Sequence, residues 1–487
     1  MASVRASNSR RRCRNRVDLS LSNFHISRSS AADSRLRQET EDLEGRERQG
    51  SRYRMAMLSG SLRLLPLFVL SSSFTFHRCP RPKPLSVHKM QAEGDATVMK
   101  WAIIGLGDVV AVKSGPPFWK CDGSTLIGVM RRTPGAAQRW IEENEAKIPA
   151  EVASQIKGFD SIRAMMEDIG GDIDGVYIAS PPGAHLDNVQ EVVSCIDDGL
   201  ANLKGVYIEK PCGRCAFETR SMAEELFQRN VPFFPAYVSR AHERTQVLRK
   251  LLMEDKVLGD KVLRVQYTQV GSSFARGLQD ADKTIPWRLN AEYSGGGLIL
   301  DMGCHILDRI DYLFGPISVK HREVHRKGGS SNSMYPSVED YVRMTGTIGK
   351  CDWSSLDSDG ATLECKWDFS PDYDERDELI ITGESGSVGM AGMGAGLPIE
   401  IYDADNKLTR TLEFDNPEHS AQPLIQAVVN EMRNVDTALD GSLVRSPSKS
   451  ANAVRTSDVL DSILGGYYGG RHDEFWKRES SWPGLDA

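Results

Sequence analysis

From Val98 onward the chain alternates short, nearly continuous apolar runs with stretches of helical periodicity. Lys100–Ile104, Ser124–Met130, Asp174–Ala179 and Gly205–Glu209 are the apolar runs, short enough for buried strands and bounded by turn residues. Between them, Ala136–Lys147, a short segment starting at Phe159 with Asp160 or Ser161 as N-cap, His185–Ile196 and Phe217–Arg229 carry helical spacing. Val231–Tyr237 closes the series. Strands that are apolar on both faces and separated by helices predict a parallel sheet covered on both sides.

After Tyr237 the rhythm changes. A helix is expected over Arg244–Asp255 and a strand over Val262–Tyr267; a glycine-rich turn then leads into a helix over about Leu298–Phe314. Val338–Ile348, Ala361–Phe369, Glu378–Thr382 and Ile399–Tyr402 come next as β-like runs without intervening helices, which predicts an antiparallel or mixed sheet. Pro423–Leu439 and Ser450–Tyr468 are helical again.

Residues 1–97 have neither period. Up to Arg54 every basic residue is arginine, serine is frequent, and Asp18 is the only acid before Asp33. Leu64–Leu70 then forms an apolar core followed by Ser71-Ser72-Ser73, suited to the h-region of a signal peptide and too short to span a bilayer. This arrangement resembles an organellar transit peptide, in particular the bipartite leaders of complex plastids, and the expected destination is an organelle, a plastid before a mitochondrion. A start at Met55 or Met57 would remove residues 1–54, and a leader that is no part of the natural protein would leave a cytoplasmic one. Either way 1–97 is set apart from the folded part as a disordered segment.

Composition narrows the function without naming it. A chain of 487 residues with 26% charged and 40% hydrophobic residues is a globular protein of two or three domains. A net charge of −7 has the wrong sign for a general nucleic-acid binder, and no apolar run reaches the ~20 residues of a membrane span. Seven scattered cysteines after residue 97 do not form a disulfide framework and point to a reducing compartment.

Three constellations carry chemistry. Gly105-Leu106-Gly107 directly follows a strand, where glycines let the backbone turn tightly against a pyrophosphate. By itself such a turn is also compatible with a structural role, and Val110 stands where the usual fingerprint has its third glycine. Glu209-Lys210-Pro211 ends a strand of the parallel sheet, the edge that faces the ligand crevice in open α/β folds. Asp301 and His305 lie four residues apart, with Asp308 three further, on one helical face. A carboxylate beside an imidazole can fix its orientation and raise its basicity for proton transfer. No further ligands accompany this pair, so no metal is expected. Cys212-Gly213-Arg214-Cys215, next to Lys210, is a C-x-x-C; two structural thiols and a redox pair at a helix N-terminus are the readings open to it.

Together these segments resemble the glucose–fructose oxidoreductase/inositol dehydrogenase (Gfo/Idh/MocA) family. The supporting pieces are Ala102–Gly107, Tyr177–Pro182 with His185, Glu209-Lys210-Pro211, Pro286-Trp287-Arg288 and Gly295–Asp308, in that order over about Val98–Trp476. The resemblance implies an α/β fold: an N-terminal Rossmann domain over 98–236, and a C-terminal α+β domain over 237–487 for substrate binding and oligomerisation. The latter has an open, mostly antiparallel sheet through which homo-oligomers are expected to form. It implies reversible oxidation of a sugar or cyclic polyol hydroxyl by a nicotinamide cofactor. Relatives that retain the cofactor for aldose–aldose oxidoreduction or glycoside cleavage, and non-catalytic cofactor-binding regulators, are the alternatives.

Matched position by position, the resemblance makes Lys210, Asp301 and His305 catalytic. His305 would accept the hydroxyl proton, Lys210 would stabilise the alkoxide, and Asp301 would orient His305 or grip a neighbouring hydroxyl. Gly105, Gly107, Asp108, Arg131, Arg132, Ser180, Pro181, His185, Glu209 and Lys210 are the expected cofactor-binding residues. Trp287 and Arg288, with Tyr237 and Arg240 as further candidates, would bind substrate.

Coenzyme choice is readable from the second strand. An acidic residue about 20 residues past the glycines marks an NAD site. Here Met130 is followed by Arg131-Arg132-Thr133, and no acid occurs until Glu142. Guanidinium groups pair with a 2′-phosphate, so NADP(H) is the expected coenzyme with NAD(H) as an alternative.

Overall fold

The computed structural model describes residues 98–107, 109–271, 286–327, 337–370, 375–437, 442–472 and 474–485. The leader over 1–97 and the expected cofactor residue Asp108 lie outside the described residues.

Six strands form the first sheet: β1 (Met99–Ile104), β2 (Ser124–Met130), β3 (Lys157–Phe159), β4 (Gly175–Ile178), β5 (Gly205–Ile208) and β6 (Phe233–Pro235). All pairings are parallel, in the order β3-β2-β1-β4-β5-β6. The strands expected from apolar runs are present, while β3 went unread because its Lys-Gly-Phe carries no apolar run. Helices α1 (Ala136–Asn144), α2 (Ile162–Ile169), α3 (His185–Asp197) and α4 (Ala216–Gln228) connect them. Of the two cap candidates for α2, Ser161 is the cap: its hydroxyl accepts from the Ala164 amide at 3.1 Å. Asp160 instead accepts from the Gly135 amide at 3.0 Å, tying α1 to the neighbouring loop.

The register aligns the carboxyl ends of the strands. Ile104 pairs with Met130 on one side and Ile178 on the other, Met130 with Phe159, Ile178 with Ile208, and Ile208 with Pro235. The residues just past each strand therefore reach one edge: Gly105, Arg131, Ser180, Lys210 and Tyr237.

The second sheet has eight strands: β7 (Val262–Val270), β8 (Ile317–His325), β9 (Tyr341–Ile348), β10 (Thr362–Asp368), β11 (Arg376–Gly383), β12 (Gly386–Met390), β13 (Ile399–Asp403) and β14 (Leu408–Leu412). Their order is β14-β13-β12-β11-β7-β10-β9-β8. Only the β7–β10 pair is parallel, so the mostly antiparallel expectation holds. Strands β8 and β14 went unread because edge strands exposed to water need no apolar alternation, and β12 because Gly-Ser-Val-Gly-Met holds only two apolar side chains. Along β7 and β11, Val265, Tyr267, Leu379 and Ile381 are buried while Gln266, Thr268, Ile380 and Thr382 stay partly exposed, the alternation of a sheet with one covered face.

Helix α5 (Glu243–Met253) leaves the first sheet, and α6 (Cys304–Phe314) is buried against the second. Two later helices return to the first sheet. In α7 (Gln422–Met432), Leu424, Ile425, Val428 and Val429 share a core with Trp101, Phe118, Tyr177 and Tyr207. In α8 (Ser450–Tyr468), Ser457 hydrogen-bonds Thr219 of α4 at 2.9 Å. Residues beyond 237 thus build part of the nucleotide-type domain's surroundings.

Candidate functional site

The glycine turn after β1 does two different things. Gly105 sits at φ +94°, and a Cβ there would lie 2.7 Å from the Ser180 nitrogen, so only glycine lets the turn press against the loop after β4. At Gly107 a Cβ would meet no atom within 4 Å. That open ground at the end of the sheet fits the close backbone approach of a dinucleotide's pyrophosphate. The chain then makes a π-helical turn over Val110–Ser114.

Arg131 follows β2 and is exposed, as is Arg132. Arg131 lines a cavity of about 150 Å³ together with Thr133, Ala136, Arg139, Trp140 and Glu143. Arg132 is not among its lining residues, whereas Arg139 of α1 is. Sequence reasoning missed Arg139; its signal was an arginine in the first turn of the helix that β2 feeds, nine residues past the strand end.

The loop after β4 is held by His185. Its Nδ1 lies 2.7 Å from the Cys212 carbonyl and its Nε2 2.6 Å from the Ser180 carbonyl. The ring is buried, and burial lowers its pKa against the pull of both carbonyls. His185 therefore joins the Ser180-Pro181 loop to the loop after Lys210, and Asn188 adds a bond to the Ser180 hydroxyl at 2.9 Å. Glu209 turns inward: Tyr177 donates to it at 2.6 Å and the Lys210 amide at 3.1 Å. Burial raises its pKa, opposed by Tyr177 and Lys210.

Lys210, Asp301 and Arg288 converge. The Lys210 ammonium lies 2.5 Å from Asp301 Oδ1 and 3.2 Å from the Asp301 carbonyl oxygen. Arg288 Nε is 3.6 Å from Asp301 Oδ2, and its guanidinium stacks over Trp287 with 4.3 Å to the ring centroid. The helix expected over Leu298–Phe314 opens as a π-turn, Ile299–Gly303, which carries Asp301 into this contact before α6 begins. Burial acts against both charges, but each stabilises the other: Asp301 stays below the usual carboxylate range and Lys210 above its ordinary value.

His305 enters from the first turn of α6, 9% exposed, with no hydrogen-bond partner for Nδ1. Burial, then the Lys210 charge, push its pKa well below the ordinary imidazole value, with Asp301 pulling weakly the other way. The expectation that Asp301 fixes the imidazole gives way to a different pairing. The oxygens of Asp301 face an ammonium and a guanidinium, which attract a carboxylate more strongly than a neutral ring does. The site thus offers a held cation beside a neutral base.

Arg240 and Tyr237 lie deeper. Arg240 is 4% exposed; it donates to Asp308 at 2.7 and 2.8 Å and to Asp311 at 2.9 Å. Asp308, expected on the His305 face, is spent in this network. Tyr237 is buried with its hydroxyl unpartnered. The C-x-x-C thiols are buried as well. Cys215 stands at the N-cap position of α4, yet burial outweighs the helix terminus and pushes it up to about 11, and Cys212 is raised well above the ordinary thiol value. Neither carries the low pKa of a reactive thiolate. Cys195, Cys212, Cys215, Cys304, Cys351 and Cys365 are free thiols, and among the described residues no group of His, Cys, Asp and Glu is arranged to hold a metal. No helix among them is long and apolar enough to cross a membrane.

Known proteins share both halves of this arrangement. Residues 99–237 match the profile described as an oxidoreductase family with an NAD-binding Rossmann fold, and residues 252–389 match the C-terminal domain of the same family, together more than half of the chain. Oxidoreductase P35 of Formosa agariphila is 28% identical over 335 residues, 68% of this chain and 90% of its own. The levoglucosan dehydrogenase of Pseudarthrobacter phenanthrenivorans is 25% identical over 182 residues, 37% of this chain and 43% of its own. Among solved structures, the aldose–aldose oxidoreductase of Caulobacter crescentus, complexed with glycerol, superposes with a TM-score of 0.58 at 20% identity, over 75% of this chain and 96% of its own. A glycine turn at the head of a 3-2-1-4-5-6 sheet, a lysine at the end of its fifth strand, and both halves of one family profile place the chain in the GFO/IDH/MocA family of NAD-binding oxidoreductases.

Proposed function

We propose that the protein is an NAD(P)-dependent oxidoreductase interconverting a secondary hydroxyl and a carbonyl on a sugar, keto sugar or cyclic polyol. The observation that carries this reading is the Lys210–Asp301 contact with the neutral, buried His305 beside it, at the strand edge where Gly107 faces open space. The name of the levoglucosan dehydrogenase relative supports the substrate class.

When bound, the nicotinamide supplies the hydride acceptor or donor for the carbinol carbon. Everything else falls to the chain. His305, held neutral, takes the hydroxyl proton as the carbonyl forms and returns it in the reverse direction. Lys210 donates a hydrogen bond to the same oxygen and stabilises the negative charge that develops there. Asp301 keeps Lys210 charged in a half-buried position where the ammonium would otherwise be costly. Trp287 offers an aromatic face to sugar C–H groups, and Arg288 the remaining donors of its guanidinium.

NADP(H) is the proposed coenzyme: Arg131 and Arg132 follow β2 with no acid beside them, and Arg139 adds a second guanidinium to the cavity that Arg131 lines, which Glu143 of α1 also lines. We further propose homo-oligomers through the half-exposed face of the eight-stranded sheet, and an organellar destination for the chain. The test of function is absorbance change on mixing NADPH or NADP with a panel of sugars, keto sugars and inositols. Turnover with a member of the panel supports the reading. Cofactor retained through purification, with redox exchange between two sugars, would select the bound-cofactor alternative. Tight NADPH binding with no turnover would select a regulator.

A further inference from the structure

The C-terminal segment reaches the catalytic centre indirectly, through one buried side chain that joins its two halves. Lys210 sits on the loop running from β5 to α4, and Asp301 on the segment that begins at Gly295. These loops touch: a Cβ on Gly295, at φ +87°, would lie 2.6 Å from the Arg214 Cα. Over the junction lies Arg471, whose side chain is fully buried. Its Nη2 donates to the Arg214 carbonyl at 2.5 Å and its Nη1 to the Gly295 carbonyl at 2.6 Å. Its Nε donates to Asp461 Oδ1 at 2.8 Å, while Asp461 Oδ2 accepts from the Ala216 amide at 2.8 Å, at the start of α4. The guanidinium packs against Tyr468 and Phe475, 5.1 and 4.7 Å from their ring centroids. Each of its three nitrogens is thus assigned to a different fixed point, two of them the backbones of the loops that carry Lys210 and Asp301.

We infer that Arg471 is a positioning residue for the catalytic pair: it sets the separation of the two loops and so the Lys210–Asp301 contact, without touching substrate or cofactor. A guanidinium suits this task because its planar fork bridges several acceptors in fixed directions, whereas an ammonium on a flexible stem does not. Arg471 lies outside both segments that match the family profiles, 99–237 and 252–389. The catalytic part of the inference rests on the proposed oxidoreductase reading; the positioning part does not.

The test uses full-length Arg471→Ala, Arg471→Lys and Asp461→Asn with two readouts. The first needs no substrate: reductive methylation of Lys210 by formaldehyde and borane, followed by peptide mass spectrometry. In the native protein Lys210 is held charged against Asp301 and reacts slowly. In Arg471→Ala it is expected to react several-fold faster, with Arg471→Lys in between and NADPH affinity unchanged. The second is kcat and KM on the sugar or polyol that the panel identifies: kcat should fall about a hundredfold, the scale for misplacing a reacting group by about 1 Å, with the KM for coenzyme unmoved. A folded Arg471→Ala protein with native Lys210 protection overturns the inference, as does native kcat. If that variant does not fold, Asp461→Asn, which keeps the guanidinium but weakens its anchor, must show the same changes or the inference falls. A chain with no turnover on any sugar would sink the proposed function, and the methylation readout would still decide the role of Arg471.

Discussion

Replacing Arg240 by methionine separates a substrate-binding role from a structural one. The side chain is 4% exposed and holds Asp308, 0% exposed, and Asp311, also 4% exposed, through three short bonds. Removing one partner of a buried ion pair costs about 3–5 kcal/mol, because the remaining charge is left without its counter-charge. Asp311 keeps Arg455, at 2.7 and 2.8 Å. Asp308 keeps only neutral donors, Asn452 at 2.8 Å and Thr456 at 3.4 Å, so it is the group left exposed to the penalty. The loss therefore belongs at the lower end, ~3 kcal/mol. At roughly 2 cal/mol/K of unfolding entropy per residue over the folded part of the chain, ~3 kcal/mol lowers the unfolding midpoint by about 4 °C. Differential scanning calorimetry near pH 7 checks this. An Arg240→Met, Asp308→Asn double variant should recover part of the loss, since an amide needs no counter-charge. An unchanged midpoint together with a raised KM for the sugar would refute the reasoning and make Arg240 a substrate residue.

Four other outcomes are expected. Lys210→Met and His305→Ala should each lower kcat by orders of magnitude while leaving NADPH binding, followed by fluorescence titration, nearly intact; the native kcat–pH profile should stay flat down to below pH 6.5, because His305 binds its proton only well under that value. Arg131→Ala and Arg139→Ala should each cost about ten- to a hundredfold in kcat/KM for NADPH, the worth of a hydrogen bond to a charged group, and little for NADH; Arg132→Ala should act in the same direction, and a preference for NADH in the native enzyme would dismiss the three as selectors. His242 is held at about 4 by burial and by Arg309, below its unfolded value, so the folded state binds fewer protons: the associated stability is complete above pH ~6.5 and declines as pH falls toward 4, by on the order of 3 kcal/mol. His242→Gln should flatten the midpoint–pH curve over that window, and an unchanged slope would show that other groups cause it. Finally, hydrogen peroxide with or without a dithiol reductant should leave activity unchanged, because Cys212 and Cys215 are buried thiols with raised pKa values.

The sequence by itself determined the order of elements. Lys100–Ile104 and Ser124–Met130 could only be buried strands, since their apolar residues leave no polar face, and the helices after them follow from spacing, with the cap of one left between Asp160 and Ser161 until the fold chose Ser161. The glycine turn and Lys210 were legible because a parallel sheet brings every strand's carboxyl end to one edge, so position along the chain predicts position in space. Tertiary structure decided what could not be local. A helical spacing of four put Asp301 and His305 on one face, but the partners of Asp301 come from 91 and 13 residues away, and the charge of Lys210 and Arg288 outbids a neutral ring. Asp308 looked equivalent to Asp301 in the pattern; only the packing of Arg240 against α6 spends it in the interior. The same holds for the C-x-x-C, where motif and helix terminus argue for a thiolate and burial overrules both. Burial, counter-charge and the meeting of distant loops are sums over the whole fold, and no window of sequence contains them.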